Sequence, residues 1–276
     1  MKIKDLRTNP GVKISSRIDH GIGSRTSTGD NLVGDFIATE GYDGPLIASG
    51  GTLATYTISG VQYTSRTFTG SDSLVVKRGS KMGYAVIAGA GYQGGGGGGA
   101  GGMLDTSQNP NGIYGYKMPR KANTYTVVVG GAHADSSVGS TAQGFYLHAT
   151  KGGNGPSGSG GSGGGAPSAY DSFNGPCYSG GGGIAGQGHP GGHGHCHNQC
   201  GYAPMGGGGG AGGAGAVGGA GAGRNNSLQT GVAKYYAGGG AGACDGGPCY
   251  PCYGSAGGEY GNGPAGAGVV ILAHKG

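Results

Sequence analysis

Six cysteines fall between positions 177 and 252: Cys177, Cys196, Cys200, Cys244, Cys249 and Cys252. His189, His193, His195 and His197 share that stretch. Imidazole and thiolate are the ligands zinc prefers, and Cys249-Tyr250-Pro251-Cys252 has chelating spacing. His193, His195, Cys196, His197 and Cys200 therefore form a candidate metal loop, although the spacing is not that of a standard zinc finger. An even cysteine count in a domain short of large apolar residues also suits disulfide staples. Disulfides, a bound metal and free thiols all stay open, and disulfides fit best. No cofactor is expected; zinc is the metal such a loop would hold.

Other chemistry finds little support. The glycine run at 94–99 follows a strand pattern, but no Gly-Lys-Ser/Thr ending and no helix pattern come after it, so it does not read as a phosphate loop. Beyond Gly83 the acids are Asp105, Asp135, Asp171, Asp245 and Glu259. They are scattered, whereas glycosidase chemistry needs two placed carboxylates. No nucleophile elbow is present. The chain reads as a non-enzyme.

Recognition is the better-supported chemistry. Segments between the glycine runs carry Tyr114, Tyr116, Tyr170, Phe173, Tyr178, Tyr202, Tyr250 and Tyr253. Tyrosine offers a large contact area and a hydroxyl at low entropic cost. The same rings could instead pack over the edges of a glycine-rich scaffold. Loops on a rigid scaffold are the usual seat of variable recognition.

These residues need elements to hold them. Thr52–Ile58, Val61–Thr64, Arg66–Thr69 and Ser73–Lys77 are short β-branched and aromatic runs parted by Gly60 and by Gly70-Ser71-Asp72. They read as strands joined by tight turns. Lys81–Gly89, Thr124–Gly131, Phe145–Ala149 and Gly268–Ala273 are further strands, each running into or out of glycine-rich sequence. No stretch combines a 3.6-residue period with caps, so almost no α-helix is expected.

Glycine supplies 76 of 276 residues. Disordered tracts normally pair such composition with high charge and few aromatics. Here charged residues are only 11% and tyrosines number 17, which argues for order. A left-handed helix of three residues per turn makes no internal hydrogen bonds. Bundled glycine helices can approach until their backbones bond one another, which a Cβ would prevent. A nine-residue block would span about 28 Å. The expected fold is mostly β with polyglycine II helices. A small β-sandwich base (46–90 plus the strand 268–273) would carry a polyglycine bundle with variable loops over 91–267.

Residues 1–45 lack a clear period. Through Arg25 they hold Lys2, Lys4, Arg7, Lys13, Arg17 and Arg25 against Asp5 and Asp19. They read as an extended arm that anchors the chain on an acidic protein surface, the alternative being a solvated tail. Interleaved aromatics and nucleic-acid motifs are missing, so no nucleic-acid partner is expected. Met1–Arg7 is followed by no apolar stretch, which argues against a secretory signal.

The ordered set of Thr55–Ile58, Tyr63–Ser71, Tyr84–Gly91, Gly94–Gly99, Thr124–Gly131 and Ala267–Leu272 resembles the glycine-rich domain of tailed-phage tail-fibre and other virion proteins. The resemblance covers roughly 46–276. It implies a β base, a sandwich of polyglycine helices, and variable loops at the far end. It further implies a fibre, adhesin or decoration protein on the virion exterior. Residues 1–45 would hold a capsid or tail-fibre protein, and loops in 105–121, 166–178, 189–205 and 244–253 would touch a host-surface glycan or outer-membrane protein. By analogy with fibres, a homotrimer is the oligomer to test for. A non-viral extracellular coat or matrix protein and a His/Cys metal-binding protein are the alternatives.

Overall fold

Between Leu46 and Ile87, β-branched runs alternate with glycine turns, and each run forms a strand. These are β1 (Ile47–Ser49), β2 (Thr52–Ile58), β3 (Val61–Phe68), β4 (Asp72–Arg78) and β5 (Lys81–Ile87). The computed structural model describes residues 46–276 apart from 109–113, 120, 169–177, 195–203 and 243–265. The anchoring arm, including Lys2, Lys4, Arg7, Lys13, Arg17 and Arg25, lies outside the described residues. The strands continue as β6 (Met103–Asp105), β7 (Tyr116–Lys117), β8 (Asn123–Val128), β9 (Ser136–Ser140), β10 (Phe145–Ala149), β11 (Arg224–Asn226), β12 (Lys234–Tyr236) and β13 (Val269–Lys275). Among the described residues helix is confined to two 3-10 turns, Thr106–Gln108 and Thr141–Gln143.

Two antiparallel sheets form the base. One has the order β1-β4-β8-β9-β10, the other β2-β3-β13-β5-β6, with β7 also pairing β5. The chain changes sheet between β1 and β2 at Gly50 and Gly51, both at positive φ (106° and 64°). A Cβ on Gly50 would overlap the Ser73 carbonyl oxygen, so only glycine serves there. Ser59 and Gly60, with φ of 49° and 78°, make the two-residue turn that a right-twisted hairpin prefers. It fixes Ile58 opposite Val61. The base takes in more of the chain than expected, because β8, β9 and β10 complete the first sheet.

Burial explains the sequence patterns. In the first sheet one face is covered, so β8 alternates, with Tyr125 and Val127 buried and Thr124, Thr126 and Val128 exposed. The second sheet is covered on both faces. Val270 and Leu272 of β13 face the sandwich core with Phe68, Leu74, Met82 and Val86. Val269, Ile271 and Ala273 face the opposite way, joining Ile87, Met103, Leu228, Tyr236 and three alanines, Ala100, Ala211 and Ala237. A strand buried on both sides loses its alternation, which is why Val269–Ala273 is uninterrupted apolar sequence.

The glycine-rich segments stack on that second face. Segment 206–211 shows how they are held. Its N–H groups reach, in order, the carbonyls of Ala166, Ala216, Gly240, Gly163, Gly213 and Ala237, at 2.8–2.9 Å. Residues three apart therefore share a neighbouring segment. Its carbonyls accept from Gly97, Gly192, Gly221, Ala100 and His189, and the last, on Ala211, from the Arg224 side chain. The repeat of three is neither the alternation of a strand nor the internal ladder of an α-helix. A Cβ at any of Gly206–Gly210 would overlap a carbonyl oxygen of an adjoining segment. Ala100, Ala211 and Ala237 stand where segments meet the β sheet.

Candidate functional site

Direction along the bundle follows from these bonds. Strands β5, β10 and β12 feed chain into it at the sheet, and segments 160–168, 187–194 and 237–242 each run outward from that side. Their outer ends, with the segments that return beside them, meet at the end far from the base. Gly194 N–H donates to the Tyr178 carbonyl at 3.0 Å. A Cβ on Gly194 would overlap the Pro167 carbonyl, and one on Gly242 that of Met205. Gly218 N–H bonds the Met205 carbonyl at 2.9 Å, and Gln93 Nε2 that of Ala241 at 2.9 Å. The described residues on both sides of 169–177 and 195–203, and Gly242 before 243–265, therefore share one end of the bundle, whereas Gly266, after 243–265, accepts from Ala90 N–H at 2.8 Å close to the sheet.

That end carries no charged side chain among its described residues (92–96, 155–157, 166–168, 178–180, 192–194, 204–206, 217–219 and 241–242). It exposes Tyr92, Tyr178, His193 and Val217. The sequences 169–177, 195–203 and 243–265 hold Asp171, Asp245 and Glu259 but no Lys or Arg. A surface of aromatic rings, amides and hydroxyls suits stacking and neutral hydrogen bonding. It does not suit charge-driven capture of a polyanion.

The structure divides the expected site residues. Tyr178 lies at this end, about half exposed. Tyr170, Phe173, Tyr202, Tyr250 and Tyr253 lie outside the described residues. Tyr116 is placed elsewhere: it sits in β7 and packs edge-on to Tyr84 and Phe145, with centroids 4.9 and 6.0 Å apart. Tyr114 is also on the base. It stacks on Tyr63 at 4.4 Å and its hydroxyl lies 3.3 Å from that of Tyr56. Burial raises the Tyr56 phenol well above its ordinary value, with Tyr114 adding to the rise. Tyr56 and Tyr114 flank Tyr63 in a three-tyrosine stack. That is the scaffold-packing role which tyrosine composition alone leaves open.

His193 is exposed. His195, Cys196, His197 and Cys200 lie outside the described residues, as do Cys177, Cys244, Cys249 and Cys252. Among the described residues no group of three or more His, Cys, Asp or Glu is placed to hold a metal.

A polar junction that sequence reasoning missed joins base to bundle. The Arg224 side chain donates to the carbonyls of Ala211, Met103 and Gly186 and lies 3.5 Å from Asp105 Oδ1. The Asp105 carboxylate is fully buried and also accepts from Ser107 Oγ at 2.9 Å and Asn226 Nδ2 at 3.1 Å. The available signal was an arginine standing alone at the end of a long glycine run.

Fold and site together define a β-sandwich that carries a glycine-rich bundle on one sheet. Comparison with family models, with curated proteins and with solved structures returns no match.

Proposed function

We propose that the chain is a phage virion surface protein, a fibre, adhesin or decoration protein, that displays host-binding loops on a polyglycine II bundle. The three-residue repeat of hydrogen-bond partners along 206–211 supports polyglycine II helices, which have three residues per turn and no internal bonds. The observation that carries the function is that the described residues on both sides of 169–177 and 195–203, and Gly242 before 243–265, meet at the end of the bundle away from the base. Loops on a stiff scaffold, rich in tyrosine and free of basic residues, suit a host glycan or outer-membrane protein. Residues 1–45 would attach the protein to a capsid or tail-fibre partner through their basic side chains.

The cysteines fit this reading as staples of the binding loops. Cys177 adjoins Tyr178, Cys196 follows Gly194 by two positions, and Cys244 follows Gly242 by two. Peptide mapping without reductant should recover disulfide-linked peptides from these loops. Stoichiometric zinc in the purified protein would overturn the staple reading in favour of the metal loop.

The functional test uses particles of a phage that encodes the chain. Antibody against the full-length protein should decorate them by electron microscopy, and purified protein should compete with particles for adsorption to host cells. Removing residues 1–45 should abolish incorporation and leave competition intact. Particles that lack the protein, or adsorption unaffected by excess purified protein, would refute the proposal.

A further inference from the structure

Strand β2 ends its sheet. Among the described residues it pairs with β3 alone. An open edge offers unpaired N–H and C=O groups to another chain, and monomeric proteins blunt such edges with charge, proline, bulges or short length. The other edges here follow that rule. β1 has three residues and a register shift between Ile47 and Ala48. β6 has three residues. The edge at the end of β10 is closed by Gln187, whose amide accepts from Thr150 N–H at 2.8 Å and donates to the His148 carbonyl at 3.3 Å.

β2 shows none of these devices. Its sequence, Thr52-Leu53-Ala54-Thr55-Tyr56-Thr57-Ile58, is seven residues long, uncharged and free of proline, and its pairing with β3 is unbroken. Apolar side chains flank it on both sides. Leu53, 55% exposed, lies on one face. Over the other lies the loop whose Gly231 meets the Tyr56 ring, and next to Gly231 is Val232, 67% exposed.

The two-residue turn makes Ile58 and Val61 a hydrogen-bonded pair. Counting back by twos, Tyr56, Ala54 and Thr52 also bond to β3. The backbone groups of Leu53, Thr55 and Thr57 therefore point outward. An antiparallel copy of β2 centred on Thr55 places Thr55 against Thr55 and Leu53 against Thr57 at the hydrogen-bonded positions. It sets Ala54 against Tyr56 and Thr52 against Ile58 at the closer, non-hydrogen-bonded positions. Every outward group finds a partner, small residues meet large ones, and no like charges face each other.

We propose that β2 pairs with β2 of a second copy of this chain, making a twofold dimer with one continuous sheet. A self-complementary edge closes with two copies and leaves nothing for a third. The proposal does not depend on the virion reading.

Sedimentation or light scattering of the full chain tests it. The expected molar mass is twice 26.4 kDa. Thr55→Lys brings two ammonium groups together at the axis and should return the mass to 26.4 kDa. Thr55 is exposed, so the variant should keep its melting temperature; Thr57→Lys repeats the test if it does not. Thr126→Lys, on the exposed face of the other sheet, should remain dimeric. A monomeric parent chain, a trimer, or a dimer that survives Thr55→Lys and Thr57→Lys would overturn the proposal.

Discussion

Arg224 closes the hydrogen-bonding register of the central glycine segment at Ala211, donating to its carbonyl from Nη2 at 2.8 Å and from Nε at 3.2 Å. The preceding carbonyls of that segment each meet a backbone N–H. Where the bundle reaches the sheet no further segment is available, and a guanidinium fork substitutes. The same side chain sits beside Asp105, so one residue ends the lattice and neutralises the buried acid of the base.

Arg224→Met keeps much of the volume and removes every donor. It leaves the Ala211 carbonyl unpaired and the Asp105 carboxylate buried without its cation. Breaking a buried pair from one side costs about 3–5 kcal/mol, and denaturant unfolding of the variant should show a loss of that size. Arg224→Lys should recover less than half, because an ammonium cannot fork onto Ala211 while reaching Met103 and Gly186. Full stability in Arg224→Met would mean that the junction carries no weight.

Glycine-to-alanine changes should act in opposite directions at two positions of the bundle. Ordinarily the change stabilises by about 0.4–1 kcal/mol through the unfolded chain. At Gly213 the added methyl meets nothing nearer than 3.5 Å, so Gly213→Ala should follow that rule. At Gly208 it would overlap the Gly98 carbonyl oxygen. Gly208→Ala must push two segments apart and should destabilise by about 1–3 kcal/mol or more. Thermal melts of the two variants suffice. Equal effects would show that the close approach of segments does not set the glycine content.

The β strands were legible because turn chemistry and β-branched runs mark them locally. Thr52–Ile58 and Ser73–Lys77 fall on observed strands, and Gly268–Ala273 does so from Val269 onward. β9 was not legible: Ser136–Ser140 is mostly polar and holds Gly139, and it is a strand because β8 and β10 offer edges on either side and Val138 fills the core. The hairpin of β11 and β12 was hidden for a related reason. Its order comes from distant partners, with Tyr56 Oη donating to the Leu228 carbonyl and Ser65 Oγ to that of Gln229. Tyr114 and Tyr116 show the limit for site residues, since a tyrosine in a loop-like sequence carries no mark of which way its ring turns.

Stability should fall on mild acidification through His274. The residue is 5% exposed. Burial lowers its pKa below the ordinary histidine value and the nearby Arg66 charge lowers it further, while the bond from Nδ1 to the Lys275 carbonyl opposes them. Below about pH 6.5 the unfolded chain takes up a proton that the folded chain does not. Unfolding thus becomes easier as pH drops through that value, and the effect levels off once the folded-state pKa is passed. His274→Gln should flatten this part of the pH–stability curve. An unchanged slope in the variant would assign the dependence to other groups.

Binding and stability should separate between two tyrosines that composition treats alike. Tyr178 is exposed at the far end of the bundle and follows Cys177 in sequence. Tyr178→Ala should weaken host-cell binding and lower the melting temperature far less than Tyr116→Ala, because Tyr178 is 48% exposed. Tyr116 is held edge-on by Tyr84 and Phe145. Tyr116→Ala should lower stability by about 2–4 kcal/mol and leave the binding of the folded fraction as it was. Cell-binding isotherms paired with melts on both variants read the two effects independently. If Tyr116→Ala abolished binding at full stability while Tyr178→Ala did nothing, recognition would belong to the base, and the far end of the bundle would lose its assignment.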